Sequence, residues 1–227
     1  MEPEFVRWSV SHWAALGLIG LGTACFLGCG YRMAAAGRYR LCRALALLIL
    51  LSFLTEYTMR ALLPEYGPWR ENLPLQFCTL MELASVVALW FRNRWFCAPV
   101  FFCVLTASIQ ALITPALSAD WPSPVFFFFF FSHGLLMPAA LSIPLLLGWR
   151  ARALDPLRAV LLGDVYILLI SPLNILLDTN YGFTRFSPPG SMLDYLGAAP
   201  WYYLWLQLPA LAIFSLMYLL VRQRTTA

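Results

Sequence analysis

The sequence predicts an all-α, polytopic membrane protein with seven transmembrane helices. Of its 227 residues, 61% are hydrophobic and only 11% are charged, whereas soluble domains average about 45–50% apolar and about 25% charged residues. A spanning helix needs about 20 mostly apolar residues, because the hydrocarbon core is about 30 Å thick and a helix rises about 1.5 Å per residue. Seven stretches of the chain meet that requirement.

Turn residues and arginines set the limits of the seven predicted helices. The first apolar run lacks a preceding basic region and a small-residue cleavage pattern, so we expect a permanent span and not a signal peptide. The spans use nearly all of residues 1–227, which predicts a single transmembrane domain. In chain order they cover residues 9–30, 41–63, 73–91, 95–117, 124–148, 157–178 and 200–221.

The arginines between these spans predict the orientation of the bundle. One side carries eleven of the 15 arginines, in short loops and the C-terminal tail: Arg32, Arg38, Arg40, Arg43, Arg92, Arg94, Arg150, Arg152, Arg158, Arg222 and Arg224. The other side carries four: Arg7, Arg60, Arg70 and Arg185. By the positive-inside rule, the C-terminus is cytoplasmic and the N-terminus lies outside.

Aromatic residues agree with this orientation, because they fall where an outer interfacial belt would lie. They are Trp8, Trp13, Trp69, Trp121, Trp201 and Tyr202. The net charge of +4 therefore reflects topology and predicts no nucleic-acid partner. We expect membrane lipids as partners and the bacterial cytoplasmic membrane as the location.

The six cysteines predict neither a disulfide framework nor a metal site. None lies in an outer loop, where disulfides of exported chains would form. Cys25 and Cys29 share a helix face, but no histidine or second cysteine pair accompanies them. Glycine motifs for nucleotides are absent as well, so we expect no cofactor and no metal.

Polar residues within the spans lie mostly in the outer half of the membrane. Polar side chains inside a membrane are costly and usually face the bundle interior. The estimated depths below the outer ends are about 6 Å for Asn174, about 7 Å for Cys78, about 10 Å for Glu56, Gln110 and Gln207, and about 13 Å for Glu82 and His133. Six helices thus contribute to one predicted polar layer.

Cys78 is the candidate nucleophile of this layer. Pro74 suits the first turn of a helix, which would place Cys78 near the positive N-terminal end, where thiolate is favoured. Glu82 lies one turn further on the same face, whereas Gln76 points to a different face. The alternative is structural, since buried cysteine often serves as a small hydrophobic residue.

His133 follows six phenylalanines and Ser132 in the stretch "VFFFFFFSHGLL" and is the candidate base. A buried imidazole needs polar partners, and His133 has them at its own predicted depth. It could equally hold the bundle together through hydrogen bonds between helices.

The outer segment from about 178 to 199 is predicted to be a lid over this pocket. Loops longer than about 12–15 residues are usually functional or disordered, and the aromatic residues here argue against disorder. Pro188-Pro189-Gly190 indicates a turn, and Ser191 with Asp194 resembles a capping box that opens a short helix. The alternative is a connector that lies along the headgroups.

Five stretches together resemble the YwaF-like family of integral membrane proteins, whose animal relatives include an acyltransferase that remodels ether phospholipids. They are "LPLQFC" at 73–78, "QALITPAL" at 110–117, "FFSHG" at 130–134, "LNILLDTNY" at 173–181 and "SMLDYLGAAPWYY" at 191–203. The sequence departs from the family pattern at Gln76, at Asp178 and at Ala198-Ala199. The resemblance implies Cys78 as the nucleophile and His133 as its histidine.

Two functions follow as hypotheses. The first is a phospholipid acyltransferase or lipid hydrolase of the outer leaflet, in which tails lie among Phe126 to Phe131 and His133 deprotonates Cys78. The oxyanion or substrate would be held by Gln76, Gln110, Asn174 and Asn180. The second is a non-enzymatic binding or transport protein in which Glu56 and Glu82 hold a ligand or proton.

Overall fold

Seven helices account for the architecture of the computed structural model, which describes residues 3–63, 66–188, 190–199 and 201–223. They are α1 (Val10–Tyr31), α2 (Ala35–Leu62), α3 (Phe77–Phe91), α4 (Arg94–Ile113), α5 (Pro124–Leu145), α6 (Asp155–Leu177) and α7 (Trp201–Val221). Short 3₁₀ turns occur at Trp69–Glu71, Tyr181–Phe183 and Met192–Leu196. No β-strand occurs within the described ranges, and the predicted all-α class is confirmed.

Six of these helices are long and apolar enough to cross a membrane: α1, α2, α4, α5, α6 and α7. The six confirm a multi-pass membrane protein. Helix α3 is apolar but has only 15 residues, so the seventh crossing stays a prediction, as does the orientation.

The predicted start of the third helix is wrong. Residues 73–76 are not helical, and α3 begins at Phe77 with Gln76 as its N-cap residue. The reason is tertiary: the Leu73 N–H donates to the Tyr181 hydroxyl at 2.8 Å, and the Leu75 carbonyl accepts from the Tyr166 hydroxyl at 2.8 Å. Pro74 therefore precedes the helix, and Cys78 is its second residue.

Helix α5 lies at the centre of the bundle and packs against α1, α2, α3 and α4. Small residues make this packing close, since Ala139, Ala140 and Ser142 are completely buried. Helix α7 packs mainly against α6 and leaves most of its apolar surface exposed, as expected of a helix that faces lipid.

Helix α4 is not a regular α-helix. Its middle, Val100–Ser108, has the wider winding of a π-helix, directly after Pro99. Long π-helical segments are rare and often lie at functional sites. This one ends at Ser108, whose side chain is buried.

Candidate functional site

Cys78 lies in the first turn of α3, half buried, with its sulfur hydrogen bonded to a hydroxyl. The Ser108 Oγ donates to Cys78 Sγ at 3.6 Å. Gln76 makes no side-chain cap, so the N-cap residue leaves the first-turn N–H groups of α3, including that of Cys78, without a capping bond from its side chain. The sulfur therefore lies beside uncapped N–H groups of the kind that bind an anionic oxygen.

Three ionisable side chains of α3 and α2 interact with one another near this turn. Glu82 is 4% exposed and interacts electrostatically with Cys78, and the Ser132 hydroxyl lies within its hydrogen-bonding reach. Glu56 is paired with Arg60, at 2.7 Å between Oε1 and Nη2, and both interact with Glu82. Among the described residues, the Arg60 guanidinium is thus paired with one of two buried carboxyl groups, that of Glu56.

The ring of His133 has a defined tautomer. Its Nδ1 lies 2.9 Å from the Phe129 carbonyl oxygen, which can only accept, so Nδ1 carries the proton in the neutral ring and Nε2 has the free lone pair. Phe129 stacks on the ring, with centroids 4.2 Å apart. His133 also interacts electrostatically with Glu56 and Arg60.

Cys78 and His133 thus interact with different members of this group, Cys78 with Glu82 and His133 with Glu56 and Arg60. Among the described residues the two side chains are not hydrogen bonded to each other: Cys78 Sγ accepts from Ser108, and His133 Nδ1 bonds to the Phe129 carbonyl. A direct Cys–His pair stays a prediction.

The amide side chains predicted to hold an oxyanion differ in whether their N–H donors are already hydrogen bonded. Both N–H donors of Asn174 are used, by the Tyr181 carbonyl and the Thr184 hydroxyl. Gln110 donates to Thr114 one turn away, and Asn180 donates to the Phe186 carbonyl. Gln76 uses only its Oε1, which accepts from the Gly182 N–H at 3.1 Å. Its amide N–H groups have no partner among the described residues, and it precedes Cys78 by two positions.

The segment 178–188 covers the start of α3. The Tyr181 hydroxyl donates to the Arg70 carbonyl at 2.6 Å and accepts from the Leu73 N–H. Gly182 is held from two sides, by Gln76 and by the Tyr203 hydroxyl of α7. The predicted lid segment thus contacts the turn before Cys78, and its function as a lid stays a prediction.

The predicted capping box in this segment is wrong. Ser191 makes no side-chain cap, and the turn that follows is 3₁₀. The Asp194 carboxylate instead accepts from the Ser187 hydroxyl and the Gly190 N–H, so it stabilises the preceding turn. Pro189 of the predicted turn lies outside the described residues.

The phenylalanine run does not form one surface beside His133. Phe126 and Phe130 pack inward against Phe5, and Phe130 also contacts His12. A cleft of about 280 Å³ on a different face of α5 is lined by Pro122, Pro124, Phe127, Phe128 and Phe131. Since Phe127 and Phe131 are rotated about 200° from Phe129 and His133, a tail in this cleft would lie away from the imidazole.

Two residues of the site were not predicted from the sequence. The first is Arg60, which served only to predict the orientation of the bundle. Its spacing from Glu56, at i and i+4, is nevertheless a signal for an ion pair. Ser108 gave no signal, because its position depends on the π-helical winding of α4.

The structural role of the second histidine, His12, was also not predicted from the sequence. His12 is completely buried, and its Nδ1 accepts from the Trp8 N–H while Nε2 donates to the Leu112 carbonyl. Both nitrogens are used, so His12 joins α1 to α4 in a structural role.

Comparison with known proteins places the chain in a family without adding a function. No curated protein matches it, and no solved structure does. The family model of the TMEM164 family matches residues 7–218. That range contains the first six helices, most of α7 and every residue of the candidate site. The chain therefore belongs to the TMEM164 family.

Proposed function

We propose that this protein is a membrane-embedded phospholipid acyltransferase with Cys78 as its nucleophile. One observation carries the proposal: the Cys78 sulfur lies at the uncapped start of α3, next to Ser108 and Glu82 and beneath segment 178–188. The resemblance of the five sequence stretches to a family with an acyltransferase supports the same reaction. Hydrolysis would result wherever water replaced the accepting lipid.

The proposal includes seven crossings, with α3 as the short one, and a site in the outer half of the membrane. The distribution of eleven arginines against four supports a cytoplasmic C-terminus and an outer N-terminus. Cys78, at the start of α3, then faces the outer leaflet, and membrane lipids are its substrates.

Each half of the reaction transfers one proton, and Cys78 is protonated again at the end. The proton of Cys78 passes through a relay to His133 Nε2, and the thiolate attacks the ester carbonyl of a phospholipid. A C–S bond forms, the C–O bond breaks, and the proton passes to the leaving alkoxide of the lysolipid. A second lysolipid then attacks the thioester, its hydroxyl proton goes to His133, and the sulfur leaves and is reprotonated.

Glu82 is the group that connects the base to the sulfur. Because Cys78 and His133 are not hydrogen bonded to each other, the proton needs a relay. Glu82 interacts with Cys78 and Glu56, and Glu56 interacts with His133. In this relay Glu82 takes the thiol proton, and a proton passes by way of Glu56 to His133 Nε2.

The oxyanion site consists of the Cys78 backbone N–H and the amide of Gln76. Both lie at the start of α3, and neither has a capping or side-chain partner among the described residues. A donor of this kind is worth about 3–4 kcal/mol in the transition state of acyl transfer. Segment 178–188 excludes water, which favours transfer over hydrolysis.

The test is reconstitution of the full chain into vesicles of defined phospholipids, with acyl exchange followed by mass spectrometry. Wild type is expected to exchange acyl chains and to carry a hydroxylamine-labile acyl group on Cys78. Cys78→Ala and His133→Ala should lose the exchange, while Cys25→Ala, an exposed cysteine on α1, should retain it. Equal exchange in all four proteins would reject the proposal.

A second candidate is a binding or transport protein, favoured by the buried pair of carboxyl groups. Glu56 and Glu82 are 6% and 4% exposed, and intramembrane carboxyl groups often hold a proton or a ligand. In that case lipid binding by the vesicle-embedded protein would survive Cys78→Ala and fail in Glu82→Gln.

A further inference from the structure

A second charged cluster lies at the end of α3 opposite Cys78. Arg92 directly follows α3, about 21 Å along the helix axis from Cys78. Arg40 and Arg43 approach it from the first turns of α2. A cleft of about 240 Å³ separates the two helices here, and its lining includes Tyr39, Arg40, Arg43, Leu89, Trp90 and Arg92.

The three arginines of this cleft have no acidic partner among the residues that the structure describes. The four ion pairs within the described chain use other arginines: Arg60, Arg94, Arg158 and Arg185. No aspartate or glutamate lines the cleft in that part of the chain. Three like charges around one small volume repel each other, so the cleft is electrostatically complementary to an anion.

Aromatic rings fix the direction of two of these guanidinium groups. Arg92 lies over Tyr39, at 4.4 Å from the ring centroid, and Arg43 lies over Trp90 at 5.4 Å. A guanidinium that stacks on a ring keeps its N–H edge free for bidentate bonds to oxygen. The two rings therefore orient the guanidinium groups while the N–H donors stay available for an anion.

The shape and lining of the cleft select the anion. Phosphate offers several oxygens in the geometry that arginine recognises, and arginine is preferred to lysine for that reason. Leu89 and the Trp90 ring add an apolar wall beside the charges, and tryptophan is typical of the headgroup level of a membrane. A free inorganic phosphate would leave that wall unused, whereas a lipid would cover it.

We infer that this cleft binds the phosphate of an anionic phospholipid headgroup, from the leaflet opposite to the one that Cys78 faces. The bound headgroup bridges α2 and α3, the two helices that carry Glu56 and Cys78. The inference depends on the membrane location of the chain and not on the acyl-transfer chemistry, so either proposal can fail alone.

The test is native mass spectrometry of the full-length protein in detergent, titrated with phosphatidylglycerol or with phosphatidylcholine. Wild type is expected to bind one phosphatidylglycerol in preference to phosphatidylcholine. The triple variant Arg40→Gln, Arg43→Gln, Arg92→Gln should weaken that binding at least about tenfold, because each arginine near anionic lipid contributes to the attraction. The matched control removes the same charge elsewhere: Arg32→Gln, Arg152→Gln, Arg222→Gln, all exposed side chains.

The outcomes separate the alternatives. Equal weakening in both triple variants would show a general effect of charge and overturn the inference. Displacement of the lipid by millimolar inorganic phosphate, or phosphate binding without lipid, would reassign the cleft to a soluble anion. If the triple variant does not fold, Arg92→Lys serves instead, because it keeps the charge and removes the planar fork. Unchanged lipid binding in Arg92→Lys would then overturn the inference.

Discussion

Asn174 holds the backbone of Tyr181 from both sides: its Nδ2 donates to the Tyr181 carbonyl at 2.7 Å, and its Oδ1 accepts from the Tyr181 N–H at 2.8 Å. Thr179 and Thr184 use the remaining acceptor and donor positions of this completely buried amide. One side chain at the end of α6 therefore sets the course of the segment that contacts the turn before α3.

Replacing Asn174 with alanine should release that segment. Four hydrogen bonds are lost and buried backbone groups remain unpaired, at about 1–3 kcal/mol each for the groups that water cannot reach. We expect a clear decrease in thermal stability and faster proteolysis within 178–188, measured on the detergent-solubilised protein. Gln110→Ala, which loses one local bond to Thr114, is the control and should change neither quantity much.

Gln76 offers a test of the oxyanion site that separates chemistry from structure. Gln76→Glu keeps an oxygen that can accept from the Gly182 N–H but replaces the amide donor with an acceptor of negative charge. We expect kcat for acyl exchange to fall by about 10²–10³ with KM little changed, because the donor acts on the transition state. A retained kcat, with stability equal to wild type, would remove Gln76 from the oxyanion site.

Asp155 should contribute to stability at the other end of the bundle. Its carboxylate lies 2.5 Å from Arg94 Nη2 and 3.3 Å from Arg158 Nη1, and it is 2% exposed. Asp155→Ala removes the partner of a partly buried guanidinium, and such changes cost about 3–5 kcal/mol when the pair is buried. Thermal unfolding should show this loss, whereas Asp178→Ala at the exposed pair with Arg185 should have a small effect.

Asp120 predicts a dependence of stability on pH. Burial alone would raise the pKa of Asp120, but hydrogen bonds from the Ser11 hydroxyl and the Trp121 N–H outweigh it and hold the pKa below its usual range. A depressed pKa means that this stabilisation is complete above about pH 4 and is lost as the pH falls through the lower folded value.

Thermal unfolding from about pH 7 down to about pH 3 checks this expectation. Asp120→Asn should be less stable than wild type at neutral pH, and the difference should shrink on acidification. Ser11→Ala removes one of the hydrogen bonds that lower the pKa and should give part of the same effect. A difference that stays constant with pH would contradict the assignment.

The hydrophobic pattern was sufficient to predict the helices, because a lipid environment leaves few alternatives for the backbone. It was not sufficient for the start of α3, since Leu73 and Leu75 bond to tyrosines about 100 residues later in the chain. In the candidate site, too, some features can be predicted from the sequence and others depend on tertiary packing. Depth along each helix brought Cys78, Glu82, Glu56 and His133 into one layer, but the face of each helix depends on packing. For example, the Nδ1–H of His133 donates to the Phe129 carbonyl, one turn earlier on the same helix.

The shortness of α3 has a consequence for the lipid around it. Its 15 residues rise about 22 Å, against a hydrocarbon core of about 30 Å. Such a hydrophobic mismatch is relieved by local thinning of the bilayer, at a cost that grows with every ångström. In the proposed seven-span arrangement, thinning beside α3 would draw ester linkages inward toward the level of Cys78, and bilayers of shorter acyl chains would reduce the distortion needed to reach it.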